Sequence, residues 1–101
     1  MKNITEILVV GTHPQILKTI ARLIDNNEKW HATLAHNLGE AAAIFKAQKT
    51  DLILIGAGLM DEEEKQLTAQ AKLYNLPIVK HYGGGSGLLF AEIHEAMRHA
   101  S

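Results

Sequence analysis

The chain contains no cysteine. That excludes disulfides and thiolate catalysis, leaves a zinc finger without thiolate ligands, and fits a reducing compartment. An excess of charge of one sign is also missing. The formal net charge is -1 and the basic residues are scattered, so the electrostatic footprint of a nucleic-acid binder is absent. No apolar run approaches the length needed to cross a membrane. The segment Met1 to Glu6 is polar and leads directly into an apolar strand, unlike a signal peptide, which sets a longer apolar stretch behind its positive charge. A cytoplasmic location is expected. Neither an internal repeat nor a low-complexity linker occurs, and 101 residues make one domain, 1–101.

What is present alternates. Ile7-Leu8-Val9-Val10 is a continuous apolar run ending at Gly11, as suits a strand covered on both faces. Pro14 follows at a helix start, where its missing N–H costs nothing. Ile16, Leu17, Ile20, Leu23 and Ile24 recur at helical spacing, and Asp25-Asn26-Asn27 ends that helix. Trp30 to Ala35 is a more polar strand, expected at an edge. Asn37 is a candidate N-cap for a helix over Leu38 to Gln48, with Ala41, Ala42, Ile44 and Phe45 turned inward. Asp51 to Ile55 is the most apolar strand and is expected at the centre, with Gly56-Ala57-Gly58 as its exit turn.

Asp61 to Tyr74 opens with Asp61-Glu62-Glu63-Glu64, acids that complement a helix dipole. Asn75-Leu76-Pro77 breaks it, and a fourth strand is predicted over Ile78 to Tyr82. After the flexible turn Gly83 to Gly87, residues Leu88, Leu89, Ile93, Ala96 and Met97 mark a last helix. The order β-α-β-α-β-α-β-α with right-handed crossovers predicts a three-layer α/β sandwich around a parallel sheet.

The run Ile7 to Pro14 resembles the opening of a response-regulator receiver (CheY-like) domain, in which two acidic residues follow the first strand. Asp51 to Gly56 is similar to the receiver's third strand, which ends in the phosphoacceptor aspartate. Lys80-His81-Tyr82 with Leu88, Leu89 and Ile93 is similar to its final strand and helix. The resemblance covers nearly the whole chain. It implies a flavodoxin-like fold and a role in two-component signal transduction. Two departures accompany it. Gly11 and Thr12 stand where the metal-binding acids would be, and Gly56 where the phosphoacceptor would be. Receiver chemistry needs a carboxylate nucleophile beside a cation held by other carboxylates. The chain also has room for four strands and four helices where a receiver has five of each. The expected strand order is 2-1-3-4, the flavodoxin-like order cut short by one βα unit, and Lys80 is the candidate receiver lysine. A bare edge invites pairing, so a homodimer around the fourth strand and the flanking third and fourth helices is expected. The competing expectation is a monomer whose edge Lys80 and His81 protect.

Other groups are candidates for chemistry. The turn Gly83, Gly84, Gly85 with Ser86 lies between a strand and a helix, where backbone N–H groups can hold an anion. It lacks the spacing of a Walker loop or a dinucleotide fingerprint, and a plain flexible connection is the favoured reading. Thr12 and His13 should stand at the same end of the sheet, together with His81. A metal there would need further converging ligands, so none is expected, and His13 also suits a helix start before Pro14. His94 and His99 are expected on a solvated or interface face, and Trp30 against the start of the second strand.

The expected function is a non-phosphorylatable pseudo-receiver that works by protein–protein contact, with no catalytic residue and no cofactor. The alternative is a domain binding phosphate, a nucleotide or a cobalamin-like ligand in a mouth lined by Gly11, Gly56, Gly58 and Gly83 to Gly85. The cobalamin-binding family's Asp-x-His-x-x-Gly pattern is missing.

Overall fold

In the computed structural model, residues 4–47, 49–56, 58–81 and 86–100 are described. The elements are β1 (Thr5–Val10), α1 (Pro14–Asp25), β2 (Trp30–Ala35), α2 (Leu38–Ala47), β3 (Leu52–Ile55), α3 (Asp61–Leu73), β4 (Ile78–Lys80) and α4 (Ser86–Ala100). All three pairings are parallel, in the order β2-β1-β3-β4. The predicted α/β class and strand order are found. The fourth strand is shorter than predicted, ending at Lys80, and Tyr82 lies outside the described residues.

Three helix boundaries have a local cause in the sequence. Pro14 occupies the first turn of α1. At α2, the Asn37 side chain accepts the Glu40 N–H at 2.9 Å, while Glu40 Oε1 accepts the His36 N–H at 2.9 Å. Helix α3 stops because Asn75 adopts φ 56°, a left-handed conformation that asparagine tolerates. The Leu76 and Asn75 N–H groups then return to the carbonyls of Ala71 and Lys72, which caps the helix end.

Two apolar layers sandwich the sheet. On one side, Ile7, Val9, Leu52, Leu54 and Val79 pack with Leu17, Ile20 and Ile24 of α1 and Leu89 and Ile93 of α4. On the other, Leu8, Val10, Ile53 and Ile55 pack with Ala41 and Phe45 of α2 and Leu67 and Ala71 of α3. The two central strands are covered on both faces, which explains why their sequences run apolar without alternation. Each fully buried leucine or isoleucine contributes roughly 1.5–3 kcal/mol. Trp30 reaches from the start of β2 to α4, with ring centroids 5.8 Å from Phe90 and 5.0 Å from His94. Ile16 and Leu88, in the first turns of α1 and α4, are about half exposed, while the adjacent Leu17 and Leu89 are fully buried, because about 100° of helix turn between neighbours carries the first of each pair off the core-facing stripe.

The side on which α4 lies carries information. Right-handed crossovers place α1, which leads from β1 to β2, on one face, and α2 and α3, which lead the opposite way, on the other. A helix continuing to a fifth strand beyond β4 would join α2 and α3. Instead α4 packs with α1, the position of a helix that closes the sheet.

Candidate functional site at the carboxyl end of the sheet

The ends of all four strands are tied together by backbone hydrogen bonds. The Gly11 N–H donates to the Ala35 carbonyl at 3.1 Å, the Gly56 N–H to Val10 at 2.8 Å, and the His81 N–H to Ile55 at 2.8 Å. Gly11 and Gly56 are both buried. A Cβ on Gly56 would stand 3.6 Å from Leu17 Cδ2 and 4.0 Å from Ile20 Cδ1. A side chain at this position would begin against the hydrocarbon of α1.

Gly58 has φ +104°, and a Cβ there would come within 1.9 Å of Thr12 Oγ1 and 3.1 Å of the His13 ring. Thr12 and His13 therefore lie directly over the exit turn of β3. His13 is the N-cap of α1 in extended conformation. Its side chain makes no capping bond, while its carbonyl accepts the Leu17 N–H at 3.0 Å. This matches the plain helix-start role.

The last strand sends its two polar residues to opposite faces. Lys80 points to the α3 side, its Nζ 3.5 Å from Glu64 Oε2. His81 turns inward to the α4 side, 6% exposed, with Nδ1 2.5 Å from Glu92 Oε1. The expectation that Lys80 and His81 together shield the sheet edge is corrected here. His81 is held beneath α4 by Glu92 and is withdrawn from the edge.

No family model matches the chain, and a search of curated proteins finds no match. Solved structures do match. The signal receiver domain of an HD domain-containing protein from Pseudomonas fluorescens Pf-5 superposes with a TM-score of 0.82 at 16% identity, over 96% of this chain and 97% of that one. The fold is that of a response-regulator receiver domain. A CheY-like receiver domain protein from Methanospirillum hungatei JF-1 gives 0.79 at 19% identity, covering 96% of each chain. The response regulator TrrA from Thermotoga maritima, in complex with Mg(2+)-BeF, gives 0.73 at 16% identity, covering 97% of this chain and 100% of that one. At such identities the likeness is one of fold.

At the ends of β1 and β3 stand a buried glycine (Gly11), a hydroxyl packed over a glycine turn (Thr12), and a second buried glycine (Gly56). They bring no carboxylate to the end of β1 or β3. The residues present do not fit a divalent cation there, and among the described residues no group of three or more His, Asp or Glu could hold one. Lys80 lies at the end of β4, the last strand before α4, and its charge is met by Glu64. The glycines expected to line a mouth are only partly described. Gly11 and Gly56 are buried, and the Cβ side of Gly58 is filled by Thr12 and His13. Gly83, Gly84 and Gly85 lie outside the described residues, as does the hydroxyl of Ser86, the first residue of α4.

The sequence offered no means of finding the Glu64–Lys80 and His81–Glu92 pairs. In the linear reading Glu64 is an ordinary helix-start acid and Glu92 an ordinary helical surface residue. His94 was expected on an outer face and is exposed there, with its ring against Trp30. The side chain of His99 lies outside the described residues. No described helix is long and apolar enough to cross a membrane.

Proposed function

We propose that this chain is a receiver-fold signalling module that takes up no phosphoryl group and acts through protein–protein contact, including contact with a second copy of itself. The observation that carries the reading is Gly56. It stands at the end of β3, where receiver chemistry needs a nucleophilic carboxylate, and has no side chain to phosphorylate. Gly11 and Thr12 supply no charge to hold the cation that would neutralise the phosphoryl oxygens. The module is not an enzyme in this reading, needs no cofactor, and works in the cytoplasm.

The test is chemical. The protein is incubated with Mg²⁺ and acetyl phosphate, or with Mg²⁺ and fluoroberyllate, with the Thermotoga TrrA protein as positive control. Intact mass and Trp30 emission are followed. The expected result is an unchanged mass and an unchanged spectrum. A saturable phosphoryl adduct, or a fluoroberyllate-dependent change in Trp30 emission, would overturn the proposal.

A further inference from the structure

The two edges of the sheet are treated differently by the chain. Bonds from β1 to Lys29 and Ala35 leave the even-numbered residues of β2 facing outward. Two of those outward N–H groups are already occupied. Trp30 donates to the Asn27 carbonyl at 3.0 Å, and Ala32 donates to Asp25 Oδ1 at 2.9 Å. On β4, the Pro77 carbonyl and the His81 N–H bond to β3, so Ile78 and Lys80 face outward. Among the described residues, no hydrogen bond is made by either outward N–H. The chain blunts one edge and leaves the other open, and an open edge is a template for another strand.

Beside that edge, α3 and β4 enclose a groove of about 320 Å³ lined by Glu64, Lys65, Thr68, Ala69, Lys72 and Lys80. Asp61 lies one helical turn before Lys65, on the same stripe. Read along α3, the stripe is acidic at its start (Asp61), small in its middle (Thr68, Ala69) and basic at its end (Lys72). Asp61, Lys65 and Lys72 are exposed, and none has an ion-pair partner among the described residues.

Such a stripe is complementary to itself when reversed. We propose that two copies join their β4 edges antiparallel about a two-fold axis normal to the sheet, with the α3 helices side by side in opposite directions. The proposal deepens the self-association named above by assigning it a surface. The symmetry keeps each helix layer on its own side, so α3 meets α3. Asp61 then faces the partner's Lys72, and Lys72 faces the partner's Asp61. This register sets Lys65 opposite the partner's Thr68 and Glu64 opposite the partner's Ala69, so the small side chains let the helices approach. The antiparallel helices also bring opposite dipole ends together. On the other face, a groove of about 510 Å³ between β4 and α4 has Ile78, Val79, Ala91 and Ala96 among its walls. The acids at its rim are already engaged, Glu92 by His81 and Glu95 by Arg98.

Charge exchange within one chain tests this geometry. Wild type, Asp61→Lys, Lys72→Glu and the double variant are compared by sedimentation across a dilution series, with far-UV circular dichroism confirming that each is folded. The wild type should dimerise. Either single reversal replaces two attractive contacts per dimer by two repulsive ones and should weaken association about tenfold or more. The double variant restores both contacts and should return to within a few-fold of wild type. A monomeric wild type at every concentration, single variants as tight as wild type, or a double variant no tighter than the singles would each overturn the proposal. The phosphodonor experiment is independent of these outcomes, so failure of the dimer and failure of the pseudo-receiver reading are distinguishable.

Discussion

Replacing Gly58 by alanine strikes the feature that most distinguishes the carboxyl end of this sheet. Two costs arise together. The backbone is held at φ +104°, where a Cβ costs roughly 1–2 kcal/mol. The same Cβ would stand 1.9 Å from Thr12 Oγ1, so Thr12 must leave its rotamer or the turn must shift, for about another 1–1.5 kcal/mol. The expected total is about 3 kcal/mol. At roughly 4–8 °C per kcal/mol for a domain of this size, the midpoint should fall by about 12–24 °C. Thr12→Ala removes the clashing atom but leaves the backbone strain. In that background Gly58→Ala should cost only about 1–2 kcal/mol, a coupling of about 1–1.5 kcal/mol between the sites. Thr12 is exposed, and Thr12→Ala alone should stay within about 0.5 kcal/mol of wild type. Urea unfolding followed by Trp30 emission, at one protein concentration for all four variants because association shifts apparent stability, completes the cycle. An equal cost of Gly58→Ala in both backgrounds, or a cost below about 0.5 kcal/mol, would refute the packing of Thr12 over this turn.

At Gly56, alanine should be nearly neutral, because its Cβ would meet ordinary contact distances of 3.6 Å and beyond. Aspartate there should cost about 2–3 kcal/mol in the same unfolding assay, since its carboxylate begins against Leu17 and Ile20. That variant should also remain inert to acetyl phosphate, because Gly11 and Thr12 still provide no cation ligands. Glu40 gives a pH prediction. The His36 backbone N–H, and secondarily the His36 side chain, hold its carboxyl below the ordinary value of 4.5. Its contribution is therefore fully present above pH 4.5 and is lost as the pH falls through the lowered folded-state value. Glu40→Gln should flatten that part of the acid limb in stability-versus-pH curves, and an unchanged limb would show the bond to be idle.

Much of the fold was legible in the linear pattern because its causes are local. Ile7 to Val10 and Leu52 to Ile55 run apolar because both faces of a central parallel strand are covered. Asn37 and Pro14 mark helix starts, and Asn75 a helix end, through bonds and dihedrals set within a few residues. The absence of carboxylates at Gly11, Thr12 and Gly56 was equally plain, since these residues follow strands whose ends the hydrophobic runs define. What only the tertiary structure decided are the contacts between residues remote in sequence. They include Thr12 over Gly58, Lys80 on Glu64, His81 beneath Glu92, and Trp30 against Phe90 and His94. The face chosen by α4 belongs with them. Its apolar spacing suits either side of the sheet, and only packing against α1 selects the closing position, because burial rewards whichever face has uncovered hydrocarbon to receive it.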